Sequence, residues 1–342
     1  MIKALLKQPL FMMGFLFVVI LIAASFYYQF KYHNKLPQTT LLYDENGKLL
    51  GAPPFSPSEV PPFGTDRSGF NMGIKLLIGA KWTLGAAILI AFVRMGLAFI
   101  LGLLYGNYLF RFKRIFTAIV DSLTVIPLTL FAYIVLSSVL VMDSFTSTFK
   151  YPLWERAGFE GLFLAVAVVP VVSVLIGNEI GTLYKNEYID SARILGGSRL
   201  HLFCHHILPH LLPKLFVIFV QQIIQVMIII GHLGFLGLLF GGTMKFQPGM
   251  ALLSSTQEWA GLIGVNNNIQ SISIYPWLVM GPIIMMTLGI IAFNFMLVGL
   301  QKALEANKVV KLKRGVRLEG TVNKDLRALE PFSFVTPRID ES

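Results

Sequence analysis

Six apolar stretches set the plan of this chain, at roughly 10–30, 82–108, 115–142, 160–183, 213–240 and 275–300. Each reaches the length of about 20 residues that an α-helix needs to cross a hydrocarbon layer about 30 Å thick. Inside such a layer a segment must satisfy its own backbone, and long uninterrupted apolar runs do so as helices. The expectation is an all-α membrane protein with six transmembrane helices. The first run meets the polar, aromatic segment Tyr27–His33 with no small-residue cleavage signal, so it reads as a retained anchor and not a leader.

Three connections are too long to be plain turns. Segment 31–81 opens with Thr39-Thr40-Leu41-Leu42-Tyr43, continues through Asn46-Gly47 and returns through Lys48-Leu49-Leu50, which predicts a β-hairpin. Pro53, Pro54, Pro57, Pro61 and Pro62 then hold the chain extended. From Ser68 an apolar stripe of Ile74, Leu77 and Ile78, with Lys75 and Lys81 off it, predicts a helix along the outer interface that turns inward at Trp82. Segment 241–274 is rich in Gly and Asn and carries Glu258-Trp259, and segment 184–212 is the third long connection. The organisation that results is 1–30 as N-terminus and anchor, 31–81 as hairpin and interfacial helix, 82–304 as a core with five further helices, and 305–342 as a basic tail.

Charge orients this plan. Lys3 and Lys7, then Arg111, Lys113 and Arg114, then Lys185, Arg193, Arg199 and Lys214, then Lys302, Lys308, Lys311, Lys313, Arg314 and Arg317 fall on one side. The opposite connections carry Asp44, Glu45, Glu59, Asp66, Asp143, Glu155 and Glu160. Positive loops mark the cytoplasmic side, which puts both termini inside. Only 13% of residues are charged and mean hydropathy is +0.69, against about a quarter charged in soluble domains. The net charge of +10 therefore reflects topology and not nucleic-acid binding. Cys204 alone makes no internal disulfide, and His201, Cys204, His205 and His206 lack the second ligand pair that a zinc site needs.

Segment 184–212 holds the most informative pattern. Ile189, Ala192 and Leu195 form an apolar stripe beside a polar one of Glu187, Asp190 and Arg193, with Asp190 and Arg193 spaced to pair. Gly196 suits the left-handed conformation that ends a helix. Ser198 suits the N-cap of a second short helix over 199–207, and Pro209 then separates it from the next span. The product is a helix–Gly–helix knuckle at 187–209, apolar on one side and charged on the other, shaped to dock in a groove of another protein.

The order of residues here resembles the coupling loop of ABC importer permeases, Glu-Ala-Ala, three residues, Gly, nine residues, Ile-x-Leu-Pro. Asp190, Ser191 and Ala192 stand at the Glu-Ala-Ala positions, Gly196, Leu208 and Pro209 follow at the same spacing, and His206 stands at the Ile position. Pro62-Phe63-Gly64-Thr65-Asp66, Gly102 through Gly106, Asp121 before Pro127, Phe235-Leu236-Gly237, Glu258-Trp259, Pro276-Trp277 and Ala292-Phe293-Asn294 resemble the oligopeptide/dipeptide/nickel branch of that family. Asn71 and Val298 replace acidic residues usual there, and the likeness runs from 62 to about 304. The resemblance implies a permease in the bacterial cytoplasmic membrane, with peptides preferred over nickel or metallophores as cargo. It also implies a second homologous permease, two cytoplasmic ATPases, an extracytoplasmic binding protein and contact with membrane lipid. Coupling to the ATPases would rest on Glu187, Tyr188, Asp190, Ser191, Ala192, Arg193, Gly196, Ser198, Leu208 and Pro209. ATP and Mg would belong to the partners: Gly315 to Gly320 has the spacing of a phosphate-binding loop, but Thr321 stands where Lys is required.

Inside the spans, Arg94 carries a charge that costs about 2.5–3.5 kcal/mol at the bilayer centre, so it faces protein or water. It is read either as a pathway residue or as a structural partner for other helices, the latter preferred. Gln221, Gln222 and Gln225 share a face and suggest either a wetted wall or interhelical bonding. Glu179 ends the fourth span near the cytoplasm, Gly102/Gly106 and Gly177/Gly181 allow close helix approach, and Pro127 and Pro170 predict kinks. Two rival classes are an ion-coupled carrier, which would show inverted repeats or paired intramembrane carboxylates, and a membrane receptor or scaffold working through the outer hairpin.

Overall fold

The computed structural model describes residues 5–43, 49–107, 113–143, 148–194, 196, 198–244 and 253–328. Helix α1 (Pro9–Tyr32) is followed by a two-stranded antiparallel pair, β1 (Leu42–Tyr43) and β2 (Leu49–Gly51), with Leu42 opposite Gly51. The predicted Asn46-Gly47 turn lies outside the described residues. Helix α2 (Met72–Asn107) comes next, then α3 (Lys113–Thr124), α4 (Leu128–Leu140), α5 (Leu153–Val166) and α6 (Val169–Tyr184). The knuckle contains α7 (Glu187–Ile194), α8 (Arg199–Leu202) and a π-helix at Phe203–Ile207. Helix α9 (Leu208–Phe235), strands β3 (Thr243–Met244) and β4 (Leu253–Ser254), and helices α10 (Trp259–Val265), α11 (Ile269–Ile274) and α12 (Trp277–Ala328) complete the order.

Among the described residues four helices are long and apolar enough to cross a membrane, five if α5 and α6 count as one span bent by 41°. Pro170 opens α6 at that bend, as the kink prediction required. The predicted span 115–142 is instead two short helices of 12 and 13 residues, parted just before Pro127 caps α4. Proline disfavours helical backbone in the residue before it. The helix predicted to lie on the outer interface and turn in at Trp82 is also corrected. It forms the first turns of the single 36-residue α2, which has no proline to break it. Its first turns are not interfacial, because Met72, Leu76 and Ala80 are buried against the rest of the fold.

Most of the core lies where α2, α4, α9, α10 and α12 meet, around Leu84, Ala87, Leu136, Met227, Leu233, Trp259 and Phe293. Burying a side chain of this size is worth about 1.5–3 kcal/mol where water is the reference; between helices in lipid the gain comes from close packing. Gly102 meets Ile176 and Ser173 while Gly177 meets Tyr105 and Gly102, so α2 and α6 cross at near backbone contact. A second core joins α6 to the knuckle through Ile176, Ile180, Leu183, Ile189, Ile207 and Leu211.

Asp66 organises the entry to α2. Its Oδ1 accepts the backbone N–H groups of Ser68 and Phe70, both at 2.9 Å, and its Oδ2 pairs with Lys75. Asn71 accepts the Ile74 N–H at 3.1 Å and so satisfies a donor of the first turn.

Candidate functional site

The knuckle folds much as its residues dictate. Gly196 takes φ +86° just after α7, and its N–H donates to Arg193 O at 3.0 Å. A residue with a Cβ is strained in this left-handed region, and glycine is not. Ser198 Oγ accepts the His201 N–H at 3.3 Å and caps α8. Asp190 accepts from Arg193 Nη1 at 3.2 Å, and both side chains are 58% exposed. Ser191 Oγ donates to Glu187 O at 3.1 Å, and Glu187 is exposed on the first turn. Tyr188 is 42% exposed, with its ring 5.9 Å from that of His210. On the other side Ile189 is fully buried, while Ala192 is half-buried.

The two ends of the knuckle attach differently from expectation. Pro209 does not separate it from the next span; Leu208 and Pro209 lie in the first turn of α9, and the helix runs in directly from the π-helix. There Leu208 N–H reaches Phe203 O, one residue farther back than in an α-helix. The wider turn accommodates a proline that has no N–H to give and whose ring would crowd the carbonyl four residues earlier. Lys214 of α9 pairs with Glu179 of α6, so the two helices that carry the knuckle are tied at its base. Among the described residues no three His, Cys, Asp or Glu side chains could hold a metal ion, and His201 and His205 stack with ring centres 4.3 Å apart.

A second polar cluster lies within the membrane. Arg94 of α2 is fully buried and donates to Gln222 Oε1 and Gln225 Oε1 of α9, both at 2.9 Å, and to Leu164 O of α5 at 2.6 Å. One guanidinium thus ties three helices, which answers its cost in lipid with charge-assisted bonds. Gln222 is buried with it, whereas Gln221 is exposed and stands apart.

A third cluster was not foreseen from the sequence. Just past the C-terminal end of α9 the turn 239–243 is gripped by buried charges. Glu258 Oε1 accepts Phe240 N–H at 2.9 Å, Glu160 Oε2 accepts Gly241 N–H at 3.0 Å, and Arg156 lies against Gly242 with its guanidinium 3.3 Å from the Phe149 ring centre. Glu258 also accepts from Ser254 Oγ at 2.7 Å and from Thr256. Burial pushes the Glu258 carboxyl above the usual carboxylate range, and these donors oppose that rise. The Trp259 ring N–H donates to Leu76 O at 2.8 Å, which seats the segment on α2. The signal available in the sequence was Arg156 and Glu160 one turn apart on a helix whose remaining residues, Glu155 excepted, are apolar or glycine, a placement that lipid does not tolerate without partners.

Comparison with known proteins agrees with this architecture. Residues 98–309 match the family described as binding-protein-dependent transport system inner membrane component. The glutathione transport system permease protein of Pectobacterium atrosepticum is 28% identical over 305 residues, 89% of each chain. Its counterparts in Escherichia coli O157:H7 and Shigella sonnei are 27% identical over 245 residues, 71% of each chain. The chain belongs to this family of ABC importer permeases, in its oligopeptide/dipeptide/nickel branch. It is therefore a multi-pass inner-membrane transport subunit of the type I importer fold, without catalysis of its own; ATP hydrolysis is done by partner ATPases. A substrate-binding protein and a second permease complete such systems.

Proposed function

We propose that this chain forms half of the translocation pathway of an importer for peptide-like solutes and couples to two cytoplasmic ATPases through residues 187–209. The partner is a second, homologous permease, solute arrives from an extracytoplasmic binding protein, and ATP and Mg are bound by the ATPases. Both termini lie in the cytoplasm. The observation that carries the coupling reading is the two-sidedness of the knuckle. Ile189, Ile207 and Leu211 bind it to α6 and α9, while Glu187, Asp190 and Arg193 remain exposed for a partner. The peptide reading is supported by the relatives named for glutathione, itself a tripeptide. Arg94 acts as a structural clamp, since its bonds already go to Gln222, Gln225 and Leu164.

The test is a pair of substitutions outside the membrane. Gly196→Val places a β-branched residue in a left-handed turn, and Asp190→Lys reverses a charge on the exposed face. Both variants are expected to insert and to pair with the second permease. Both should either lose the ATPase subunits on purification or retain them with hydrolysis no longer stimulated by substrate. At about 1.4 kcal/mol per decade, a few kcal/mol lost from a small contact shifts binding by orders of magnitude. A double variant that imports at the normal rate with ATPases bound would overturn the assignment.

A further inference from the structure

Helix α9 carries a polar stripe that this chain leaves uncovered. Gln221, Gln225, Ile228 and His232 recur at steps of four, three and four, and all are exposed. At 100° per residue they fall within an arc of about 60°, and at 1.5 Å per residue they span about 16 Å of helix. The neighbouring Gln222, Ile223, Val226, Met227, Ile229 and Ile230 are buried. Lipid-facing surface looks different: α1 presents Met13, Leu16, Ile20 and Phe30. Amides and an imidazole in hydrocarbon are costly, so a stripe of them within a spanning helix meets water or protein.

Its chemistry has a direction. A guanidinium offers donors and no acceptor, so both glutamines bonded to Arg94 must turn their carbonyl oxygens toward it. Gln222 is buried in doing so, but Gln225 is exposed, and its amide –NH2 is left as the group presented outward. The cation polarises that amide and strengthens its N–H groups as donors. Gln221 makes no side-chain bond among the described residues. His232 spends one ring nitrogen on Thr129 Oγ1 at 3.4 Å and keeps the other for a second partner.

We propose that Gln221, Gln225 and His232 form the solute-contacting wall of the pathway, and that they recognise acceptor oxygens of peptide carbonyls and carboxylates mainly through donated N–H groups. Arg94 does not touch the solute; it is a positioning residue that fixes Gln225 with its donors outward. Amide side chains matched to amide groups of the cargo read the peptide backbone, which is common to all peptides, and leave the side chains unread. The inference rests on the peptide-importer reading above and specifies where in this chain that chemistry resides.

Two measurements on the full complex in proteoliposomes test it. In a Cys204→Ser background, single cysteines at 221, 225, 228 and 232, with 222 and 226 as buried controls, are treated with a small water-soluble methanethiosulfonate reagent. The stripe is expected to react, the controls to resist, and S-methylglutathione (a tripeptide without a thiol to consume the reagent) to slow the reaction. Uptake is then compared for Gln225→Glu, an isosteric change from donor to acceptor. The KM for S-methylglutathione should rise about tenfold, the size of one lost hydrogen bond to a charged or polarised group, in a complex that keeps its subunits. Arg94→Lys, which keeps the charge but not the fork, should raise KM in the same direction. An unreactive stripe means that the partner permease or lipid covers this face, and overturns the proposal. So does a reactive stripe that peptide does not protect and whose Gln225→Glu variant keeps the normal KM. A wild-type complex that imports neither S-methylglutathione nor trialanine removes the peptide reading itself, while the labelling still decides whether the wall is wetted.

Discussion

The knuckle at 187–209 and the turn at 239–243 both depend on glycine and on charged side chains, and they use them in opposite ways. In the knuckle Asp190 and Arg193 stand 58% exposed, and nothing lies within 4 Å of a Cβ placed on Gly196. Around the turn Glu160 and Glu258 are each 1% exposed and Arg156 4%, and a Cβ on Gly242 would overlap the Arg156 guanidinium. One element leaves its charges exposed. The other consumes its charges in holding its own backbone. An exposed ion pair contributes little to stability, so the knuckle's charges do little to hold its own fold. Buried carboxylates that accept backbone N–H groups are costly to remove, so this turn is a fixed frame at the end of α9.

The contrast can be broken hardest at Glu258. Glu258→Ala strips the acceptor from Phe240 N–H and from the hydroxyls of Ser254 and Thr256, for a loss of about 3 kcal/mol or more. The expected outcome is little chain in the membrane fraction and early thermal unfolding of what remains, while Glu258→Gln, which keeps an acceptor oxygen, falls in between. The two glycines sharpen the comparison next. Gly242→Ala, at φ +122° and against Arg156, should cost about 3 kcal/mol through strain and overpacking together. Gly196→Ala, at φ +86° in open space, should cost about 1 kcal/mol through strain alone. Equal thermal shifts for the two alanines would mean that the two turns do not differ in how tightly they are packed. The smallest effect belongs to the base of the knuckle. Reversing either Glu179 or Lys214 should lower the unfolding temperature of the complex by an amount worth under about 1 kcal/mol, because the pair is about one-third exposed. The double exchange, Glu179→Lys with Lys214→Glu, should restore most of it.

Local chemistry was legible in the sequence wherever the chain decides its own conformation. Gly196 at a helix end, Ser198 as a cap, the Asp190–Arg193 spacing and the bend at Pro170 all follow from one or two residues and their neighbours. The antiparallel strands Leu42–Tyr43 and Leu49–Gly51 follow from two apolar runs that flank Asn46-Gly47 in the sequence. What the sequence concealed was tertiary. The length of α2 depends on Met72, Leu76 and Ala80 finding a buried surface, which no local pattern distinguishes from an interfacial stripe. Pro209 looked like a separator because proline breaks α-helices, and the π turn that spares this helix depends on carbonyl positions and not on composition. The grip on residues 240–242 joins side chains at 156, 160 and 258, two separate segments of the chain, and only the fold brings them to one turn.

The five residues Phe203–Ile207 have a consequence of their own for how the two ends of this subunit are aligned. A π turn holds one residue more than the α turn it replaces, and each residue added to a helix advances everything beyond it by about 100°. The compass bearing of the knuckle relative to the face of α9 is therefore set here, by one surplus residue. Deleting His205 would close the wide turn into an ordinary one and rotate the exposed face of Glu187, Asp190 and Arg193 by about 100° around the α9 axis, with every contact inside α9 left intact. A subunit so altered would keep both of its surfaces and have them point to the wrong neighbours.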